Sequence, residues 1–414
     1  MFDYLLNDRQ KALRDEVRDF VKSIPRQMIL DMDSDRIKFP REFLEEAGRR
    51  NLMGCRYPKH WGGRDMDWVS TCMVMEEIGT LGYIFACTFG VGAELVCDAI
   101  ILHGDERQKQ KYVEPLLKGK IFAAECLTEP RGGSDFFGTT TRAEDRGDYF
   151  LLNGQKRFIV GGEGADFFLV YARTDPDAEA HKGISCFIVD RTEGVRTEYL
   201  YGLMGCRGGG TARMVFHDVK VPKENLVGQF NRGKEIFNTM MIPERLGTAA
   251  MTIGAAAPAV DVATGYTAKR KAFGQPVAAF QGVSFQVAEA VTLLDASRAM
   301  IYTTARAVDS GIHEKEIRRL ISEAKKFVTE SCQKAVHNAM QVMGGIGYTD
   351  IYPVERIFRD LRLASIWTGT NEVMSMIIAN EWYKACERKK QTNRIRDLEC
   401  DAAQADAGEE KVFE

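Results

Sequence analysis

YFLLNGQKRFIV, residues 149–160, is the stretch that decides the fold class of this chain. It is rich in aromatic and branched apolar residues, and Asn153-Gly154 inside it predicts a two-residue hairpin turn. Three similar runs follow it, separated by Gly, Asp and Pro: DFFLVYART (166–174), GISCFIVDR (183–191) and ARMVFHDVKVP (212–222). A β domain of barrel or sandwich type is therefore expected over residues 121–233.

The residues before this β region follow a helical pattern. Apolar residues recur three and four positions apart, as at Leu13, Val17 and Phe20, with charged residues between them. This spacing predicts an N-terminal helical domain over residues 1–120.

Helical periodicity returns after the β region, for example at Ile321 and Ala324, and the glycine at Gly344 is expected to end one helix. Residues 234–388 are expected to pack as a four-helix bundle. Residues 389–414 contain few large apolar side chains and are expected to form a mobile tail. The predicted fold class is thus α+β multidomain: an N-terminal helical domain, a middle β-barrel or β-sandwich domain, and a C-terminal four-helix bundle.

Composition excludes several classes of function. The chain has 414 residues, 56 basic and 59 acidic, for a formal net charge of -3, which gives no field that would attract nucleic acid. Residues 1–17 do not resemble a signal peptide, and the apolar stretch 246–260 is too short to span a membrane. The ten cysteines include no C-x-x-C pair and indicate reduced thiols. A cytoplasmic protein without nucleic-acid or membrane partners is expected.

Several catalytic signatures are missing from the sequence. It contains no G-x-x-x-x-G-K-[ST], no dinucleotide-binding fingerprint and no G-x-S-x-G. Its six histidines are scattered and lack clustered carboxylates, so no metal site is expected.

Two motifs have a chemistry of their own. LTEPRGGSD (127–135) offers the hydroxyls of Thr128 and Ser134, and its glycines allow backbone N–H groups to approach a polar cofactor. RKAFGQPVAAFQ (270–281) combines a cation, an aromatic ring and a carboxamide, as a pyrophosphate and adenine require. Taken alone, the first motif is equally explained as a simple connection and the second as ordinary surface.

The order of the motifs resembles acyl-CoA dehydrogenases from the N-terminal helices to about Trp382. The motifs are LTEPRGGSD, NGQKRFIVGGEGAD, ERLG, RKAFGQP, QVMGGIGY and FRDLRLASIWTGTNEV. The resemblance implies an FAD flavoprotein, a homotetramer, that removes the α proton of an acyl-CoA while the β hydride goes to the flavin. It also implies that an electron-transfer flavoprotein accepts the electrons.

The resemblance also assigns the cofactor site, residue by residue. The flavin ring and the thioester are expected to lie against Leu127, Thr128, Ser134, Phe158 and Val160. The ADP half is expected to be held by Arg270, Phe273 and Gln281, by Gln341, Gly344 and Gly345 of a neighbouring subunit, and near the ring end by Thr370. In the family a tryptophan is usual at Phe158, and a hydroxyl that bonds the flavin is usual at Val160.

The catalytic base departs from the commonest family pattern. Many members carry the catalytic glutamate at the position of Thr368, and threonine cannot serve as a carboxylate base. The isovaleryl and long-chain members place the base where this chain has Glu244, in IPERLG. Pro243 suits the first turn of a helix, where the dipole favours an ionised carboxylate and an apolar pocket opposes it. The alternative is that Glu244 pairs with Arg245 or caps the helix.

The same resemblance implies substrate contacts and a substrate class. Val91, Ser134, Arg245 and Thr368 are expected at the acyl-CoA, with the backbone N–H of Thr368 donating to the thioester oxygen. A relocated base suits branched or cyclic acyl groups, and the chain is also similar to the dehydrogenases of cyclohexane- and cyclohexene-carboxyl thioesters.

Alternative functions stay open from the sequence. The first is 1,4-elimination from a cyclohexene-carboxyl-CoA, which needs a second carboxylate, and the nearest to Val91 are Glu94 and Asp98. The others are a reductase or nitroalkane oxidase of the same fold, and a non-catalytic interaction protein that keeps FAD as a structural element.

Overall fold

The computed structural model describes residues 3–389, so the tail predicted for residues 389–414 lies, apart from its first residue, outside the described part of the chain. The N-terminal part is helical, as predicted. Its helices are α1 (Asp8–Ser23), α2 (Arg26–Asp33), α3 (Arg41–Arg49), α4 (Trp68–Gly79), α5 (Tyr83–Gly90), α6 (Cys97–His103), α7 (Glu106–Gln108) and α8 (Glu114–Leu117). A π-helical segment, Val91–Val96, joins α5 to α6, and a second one, Lys109–Val113, joins α7 to α8.

Helix α1 illustrates how local sequence sets these elements. The side chain of Asn7 accepts a hydrogen bond from the backbone N–H of Gln10, whose side chain accepts one from the backbone N–H of Asn7. This capping box satisfies two N–H groups that have no partner within the helix. The apolar face of Leu13, Val17 and Phe20 is buried, as its spacing predicts.

The middle of the chain forms one mixed sheet of eight strands. The strands are β1 (Ala123–Cys126), β2 (Arg142–Asp145), β3 (Tyr149–Ile159), β4 (Phe167–Arg173), β5 (Ile184–Asp190), β6 (Val195–Leu200), β7 (Ala212–Pro222) and β8 (Leu226–Val227). Their order is β6-β7-β3-β2-β4-β5-β8, and β1 pairs in parallel with β4. All four runs that predicted the β domain lie in strands.

The sheet curls around a core of its own. Side chains from β1 to β7 on its inner face, such as Phe168 and Val170, join one apolar cluster, although several of these strands are not neighbours in the sheet. The alternate residues Phe167, Leu169 and Tyr171 point to the opposite face and pack with the helices. Because both of their faces are covered, β4 and β5 are apolar almost throughout, whereas β2 and β6 carry exposed polar residues.

The hairpin predicted at Asn153-Gly154 is wrong. Both residues lie inside the continuous strand β3, where the pairing with β7 shifts register between Leu152 and Gly154. Gly154 has φ 151°, and a Cβ there would lie 2.5 Å from Oγ1 of Thr141. The glycine therefore makes a β-bulge and a close approach of two strands, not a turn.

The C-terminal part is the predicted bundle. Its helices are α9 (Gly233–Lys269), α10 (Gln281–Asp309), α11 (Glu314–Met343), α12 (Val354–Leu361) and α13 (Asn371–Lys389), and a small hairpin of β9 (Lys271–Ala272) and β10 (Gln275–Pro276) joins α9 to α10. Helix α11 contacts α9, α10 and α13. It ends at Met343 and is followed by Gly344 with φ 67°, as the sequence predicted.

Helix α9 joins the three parts, since it packs against α4 and against β5. At Gly254 it crosses α4 so closely that a Cβ would lie 1.9 Å from the carbonyl oxygen of Glu76. By length and composition alone, two helical stretches, Tyr83–His103 and Gly233–Lys269, are apolar enough to cross a membrane. Both are mostly buried within the fold, as the core helices of a soluble domain also are.

Candidate active site

A narrow cavity lies between the sheet and the N-terminal helices. Its lining includes Thr88 and Val91 from the helices, Ala123 from β1, and Val160 and Gly161 beyond the end of β3. Val91 opens the π-helical segment, a geometry found frequently at functional sites. The structure thus brings together Val91 and Val160, which the sequence assigned to the substrate and to the flavin.

Glu244 lies on α9 and is only partly covered by its neighbours. Its Oε2 atom is buried and has no hydrogen-bond partner within residues 3–389. Burial raises the pKa of Glu244 to about 7, against the lowering effect of the charges of Arg245 and Lys325. An unpartnered carboxylate with this pKa is suited to accept a proton near neutral pH.

The position predicted for Pro243 is wrong. Helix α9 begins at Gly233, so Pro243 lies in its interior and Glu244 is far from the helix N-terminus. The positive end of the helix dipole acts only within the first turn. Burial therefore acts on the Glu244 carboxyl without the expected opposition from the dipole, and Glu244 does not cap the helix.

A buried lysine holds the loop next to Glu244. The Nζ atom of Lys325 donates hydrogen bonds to the carbonyl oxygen of Gly369 at 2.8 Å and to Oδ1 of Asn371 at 2.9 Å. Burial, together with the positive charge of Arg245, lowers the pKa of Lys325 to about 8. Arg245 is itself buried, and its Nε has no partner among the described residues. Two cations thus lie beside the Glu244 carboxyl.

Thr368, in the loop that Lys325 holds, has a strained backbone. Its φ is 55°, a value that is rare for a β-branched residue and costs about 1–3 kcal/mol. Its hydroxyl is buried and unpartnered in the described part of the chain. The next hydroxyl, that of Thr370, accepts a hydrogen bond from the N–H of Val373 at 3.3 Å and so caps α13. Strain of this kind clusters at active sites.

The LTEPRGGSD loop is fixed by a buried ion pair. Nζ of Lys156 lies 2.8 Å from Oε1 of Glu129, and both side chains are almost fully buried. Lys156 also donates to the carbonyl oxygen of Leu127 at 3.2 Å. Although burial alone would raise it, the charge and hydrogen bond of Lys156 hold the pKa of Glu129 at about 2. The pair orients Leu127 and Thr128, which are half-buried, whereas Ser134 is exposed.

Phe158 and the residues assigned to the ADP half are open to solvent in the single chain. Phe158 has φ 56° and a 54% exposed ring, and Phe273 has φ 50° and a 96% exposed ring. The other exposed members of this set are Arg270, Gln281, Gln341, Gly344 and Gly345. Exposed aromatic rings and bare glycine backbone are suited to a bound cofactor or a second subunit.

Glu94 and Asp98 do not face the cavity as free carboxylates. Nη2 of Arg56 lies 3.1 Å from Oε2 of Glu94 and 2.6 Å from Oδ2 of Asp98, and all three side chains are buried. The Arg56 guanidinium also stacks on Trp68, 3.7 Å from its ring centre. Both acids therefore belong to a structural cluster.

The structure adds a carboxyl group that the sequence reasoning missed. Glu125 lies in β1, its Oε1 is buried without a hydrogen-bond partner in residues 3–389, and the negative charge of Glu244 acts on it. A lone acidic residue inside the apolar run FAAEC is the sequence signal that could have identified it.

Comparisons with known proteins identify the family. Family models match all three parts of the chain: acyl-CoA dehydrogenase N-terminal domain at residues 7–120, middle domain at 124–219 and C-terminal domain at 231–382. The chain belongs to the acyl-CoA dehydrogenase family. The predicted family and fold class are thereby confirmed, and the chain is an oxidoreductase that acts on acyl-CoA.

Individual relatives cover nearly the whole chain. The caffeyl-CoA reductase-Etf complex subunit CarC of Acetobacterium woodii is 36% identical over 377 residues, covering 90% of this chain and 98% of that protein. A 3-(aryl)acrylate reductase of Clostridium sporogenes is 34% identical over 381 residues, covering 91% and 99%. The solved butyryl-CoA dehydrogenase of Megasphaera elsdenii is 31% identical with a TM-score of 0.87, covering 91% of this chain and 99% of that chain.

Acyl-CoA dehydrogenases are FAD-dependent, and the residues of this chain fit that cofactor. Of the residues predicted to surround the flavin ring and the thioester, Leu127 and Val160 are half-buried apolar side chains and Thr368 has an unpartnered hydroxyl in the described chain. At Gly344 and Gly345 no atom lies within 4 Å of where a Cβ would be, so the backbone is open to a ligand. The apolar side chains suit a flat ring, and the open glycine backbone suits a polar tail.

Proposed function

We propose that this acyl-CoA dehydrogenase removes an α proton and a β hydride from a branched or cyclic acyl-CoA, such as a cyclohexanecarboxyl or cyclohexenecarboxyl thioester, with Glu244 as the base. The observation that carries the proposal is the buried, unpartnered Oε2 of Glu244 on α9, beside the strained Thr368 loop. Thr368 itself has no group that can hold a proton from carbon. Glu244 is the glutamate that the site offers in its place.

The chain contributes a base, two cations and a backbone donor to this reaction. A positioned carboxylate gives roughly 10²–10⁴ in rate, and the charges of Arg245 and Lys325 keep it ionisable near neutral pH. The backbone N–H of Thr368 would donate to the thioester oxygen as negative charge develops there, a donor worth about 3 kcal/mol. When bound, FAD accepts the β hydride.

The test is anaerobic bleaching of the flavin absorbance by straight, branched and cyclic acyl-CoAs. We expect a branched or cyclic thioester to bleach the wild type at the highest rate and Glu244→Gln to lose bleaching. Glu235→Gln is the matched control, because Glu235 lies on the same helix but is exposed and pairs with Arg232 at 2.8 Å. Unchanged bleaching in Glu244→Gln would move the base elsewhere and reopen the 1,4-elimination.

A second candidate is a reductase of aryl acrylyl thioesters. The names of the Acetobacterium woodii and Clostridium sporogenes relatives, a caffeyl-CoA reductase subunit and a 3-(aryl)acrylate reductase, favour it. In that direction Glu244 would deliver a proton to the α carbon. Reoxidation of the reduced protein by an aryl acrylyl-CoA, with no response to cyclohexanecarboxyl-CoA in either direction, would support the reductase.

The partner, the assembly and the location also belong to this proposal. The Acetobacterium woodii relative is named as part of a complex with Etf, which supports an electron-transfer flavoprotein as the electron acceptor. The exposed ADP-site residues, Phe273 and Gly344 among them, support completion of the site by a second subunit. A homotetramer in the cytoplasm, with no membrane or nucleic-acid partner, stays a prediction.

A further inference from the structure

A second buried carboxyl group, that of Glu125, lies near enough to Glu244 for the two to interact electrostatically. Glu125 lies in β1, where its backbone is in register with Leu169 of β4. Side chains alternate along a strand, so Glu125 points to the same sheet face as Ala123, which lines the cavity next to Val91. Both β1 and α9 contact the π-helical segment Val91–Val96. Glu125 on β1 and Glu244 on α9 therefore lie on elements that meet at this π-helical segment.

Unsatisfied polar atoms mark this region as a ligand site. Oε1 of Glu125 and Oε2 of Glu244 are both buried, and neither has a hydrogen-bond partner in the described chain. Tyr171 is completely buried, on the same sheet face as Glu125, and both carboxyl groups act on it electrostatically. Buried polar groups are rarely left unpaired, because each one loses its hydrogen bonds to water. A polar ligand would satisfy them.

The groups around the two glutamates favour a proton on Glu125 and ionisation of Glu244. Burial raises the pKa of Glu125 well above its usual range, and the Glu244 carboxylate raises it further. Lys156, the cation that acts on Glu125, is held 2.8 Å from Glu129. Glu244 instead has Arg245 and Lys325 beside it. Two carboxyl groups in one apolar space do not both ionise, so the pair holds one donor and one base.

We propose that Glu125 is a specificity-determining residue of the acyl site: its neutral carboxyl donates a hydrogen bond to an oxygen on the acyl group of the substrate. Branched or cyclic acyl groups that bear a hydroxyl, keto or ether oxygen are then preferred to hydrocarbons of the same shape. A hydrocarbon leaves the Glu125 donor buried and unpaired, and a site built to pair such a group rejects the analogue that lacks it. This inference rests on the proposed function, because it takes Glu244 as the base at the same acyl group.

The experiment compares matched pairs of thioesters on the FAD-loaded enzyme. Cyclohexanecarboxyl-CoA is paired with its 4-hydroxy and 4-oxo forms, and 3-phenylpropionyl-CoA with its 4-hydroxyphenyl form. Rates of anaerobic flavin bleaching give kcat/KM for each. We expect the wild type to favour at least one oxygenated partner by roughly tenfold to a hundredfold. A wild type that favours the hydrocarbon in every pair overturns the inference without any variant.

Two variants assign the preference to Glu125. Glu125→Gln keeps a neutral donor of the same shape and should keep the preference, whereas Glu125→Met keeps the length without a donor and should abolish or reverse it. An unchanged preference in Glu125→Met overturns the inference. Failure of the proposed function would look different, since no thioester would then bleach the wild type or Glu244→Gln would still react. If Glu125→Met does not retain FAD, Glu125→Ala takes its place as the variant without a donor, and an unchanged preference in it overturns the inference equally.

Discussion

The Nζ atom of Lys325 donates a 2.8 Å hydrogen bond to the carbonyl oxygen of Gly369, across the interface between α11 and the loop that precedes α13. The same ammonium reaches Oδ1 of Asn371, so one buried cation fixes both sides of Thr370. Thr368, with its strained backbone, is the residue immediately before Gly369. Lys325 is therefore a positioning residue for the backbone donor at Thr368, and its charge also acts on Glu244.

Lys325→Met is expected to impair both stability and the pH response. Hydrogen bonds from a charged group are worth about 1.5–3 kcal/mol each, so the free energy of unfolding in urea should fall by about 2 kcal/mol or more. Loss of the positive charge should raise the pKa of Glu244 above about 7 and move the rate profile to higher pH. The neighbouring Lys326→Met is the control, because Lys326 pairs with Glu330 at 2.8 Å and both side chains are partly exposed. An unshifted profile in Lys325→Met would contradict the electrostatic link.

The rate of flavin bleaching should rise with pH through about 7. Glu244 must be ionised to accept a proton, and burial raises its pKa to about 7. Below that value the base is protonated, so kcat/KM should fall about tenfold for each pH unit. Stopped-flow bleaching between about pH 5.5 and 8.5, a range that brackets a pKa of about 7, measures this pH dependence of kcat/KM. A flat profile, with Glu244→Gln inactive at every pH, would show that proton abstraction does not limit the rate.

The buried pair of Lys156 and Glu129 predicts a large stability effect. Lys156→Met leaves the Glu129 carboxylate without its cation in the interior, which should cost about 3–5 kcal/mol in urea unfolding. The exposed pair Lys326–Glu330 provides the comparison, since Lys326→Met should cost about 1 kcal/mol or less. The double variant Lys156→Met/Glu129→Gln should recover part of the loss. A loss below about 1 kcal/mol in Lys156→Met would mean that water reaches the carboxylate.

The sequence predicted the three-part fold because each part has a distinct periodicity. Helical spacing at Leu13, Val17 and Phe20 and the apolar strand runs of the middle domain both follow from which side chains the core buries. The end of α11 at Met343 followed from the positive φ that Gly344 adopts. These are local rules, and tertiary contacts reinforce them.

Local rules failed where packing between distant segments decided the geometry. Pro243 was expected to open a helix, but the helix begins at Gly233 and continues through the proline, which is buried. Glu244 was correctly placed on a helix, yet its environment depends on Lys325, which lies 81 positions along the chain (325 minus 244). Glu125 escaped notice because both faces of β1 are buried, so alternation could not tell which side chain faces the helices.

The bulge at Gly154 predicts that a Gly-to-Ala substitution changes the free energy of unfolding in opposite directions at two positions of the chain. Gly154→Ala places a Cβ 2.5 Å from Oγ1 and 2.7 Å from Cα of Thr141, at φ 151°, so one strand must move. Strain and overpacking together should lower the free energy of unfolding by about 2 kcal/mol or more. Gly265→Ala, at an exposed position in the last two turns of α9, where no other described atom lies within 4 Å of the new Cβ, should instead raise it by about 0.5–1 kcal/mol. Urea unfolding of the two variants measures both. If Gly154→Ala is as stable as the wild type, the bulge is not fixed by the contact with Thr141, and the pairing of β3 with β7 can shift to accept a side chain.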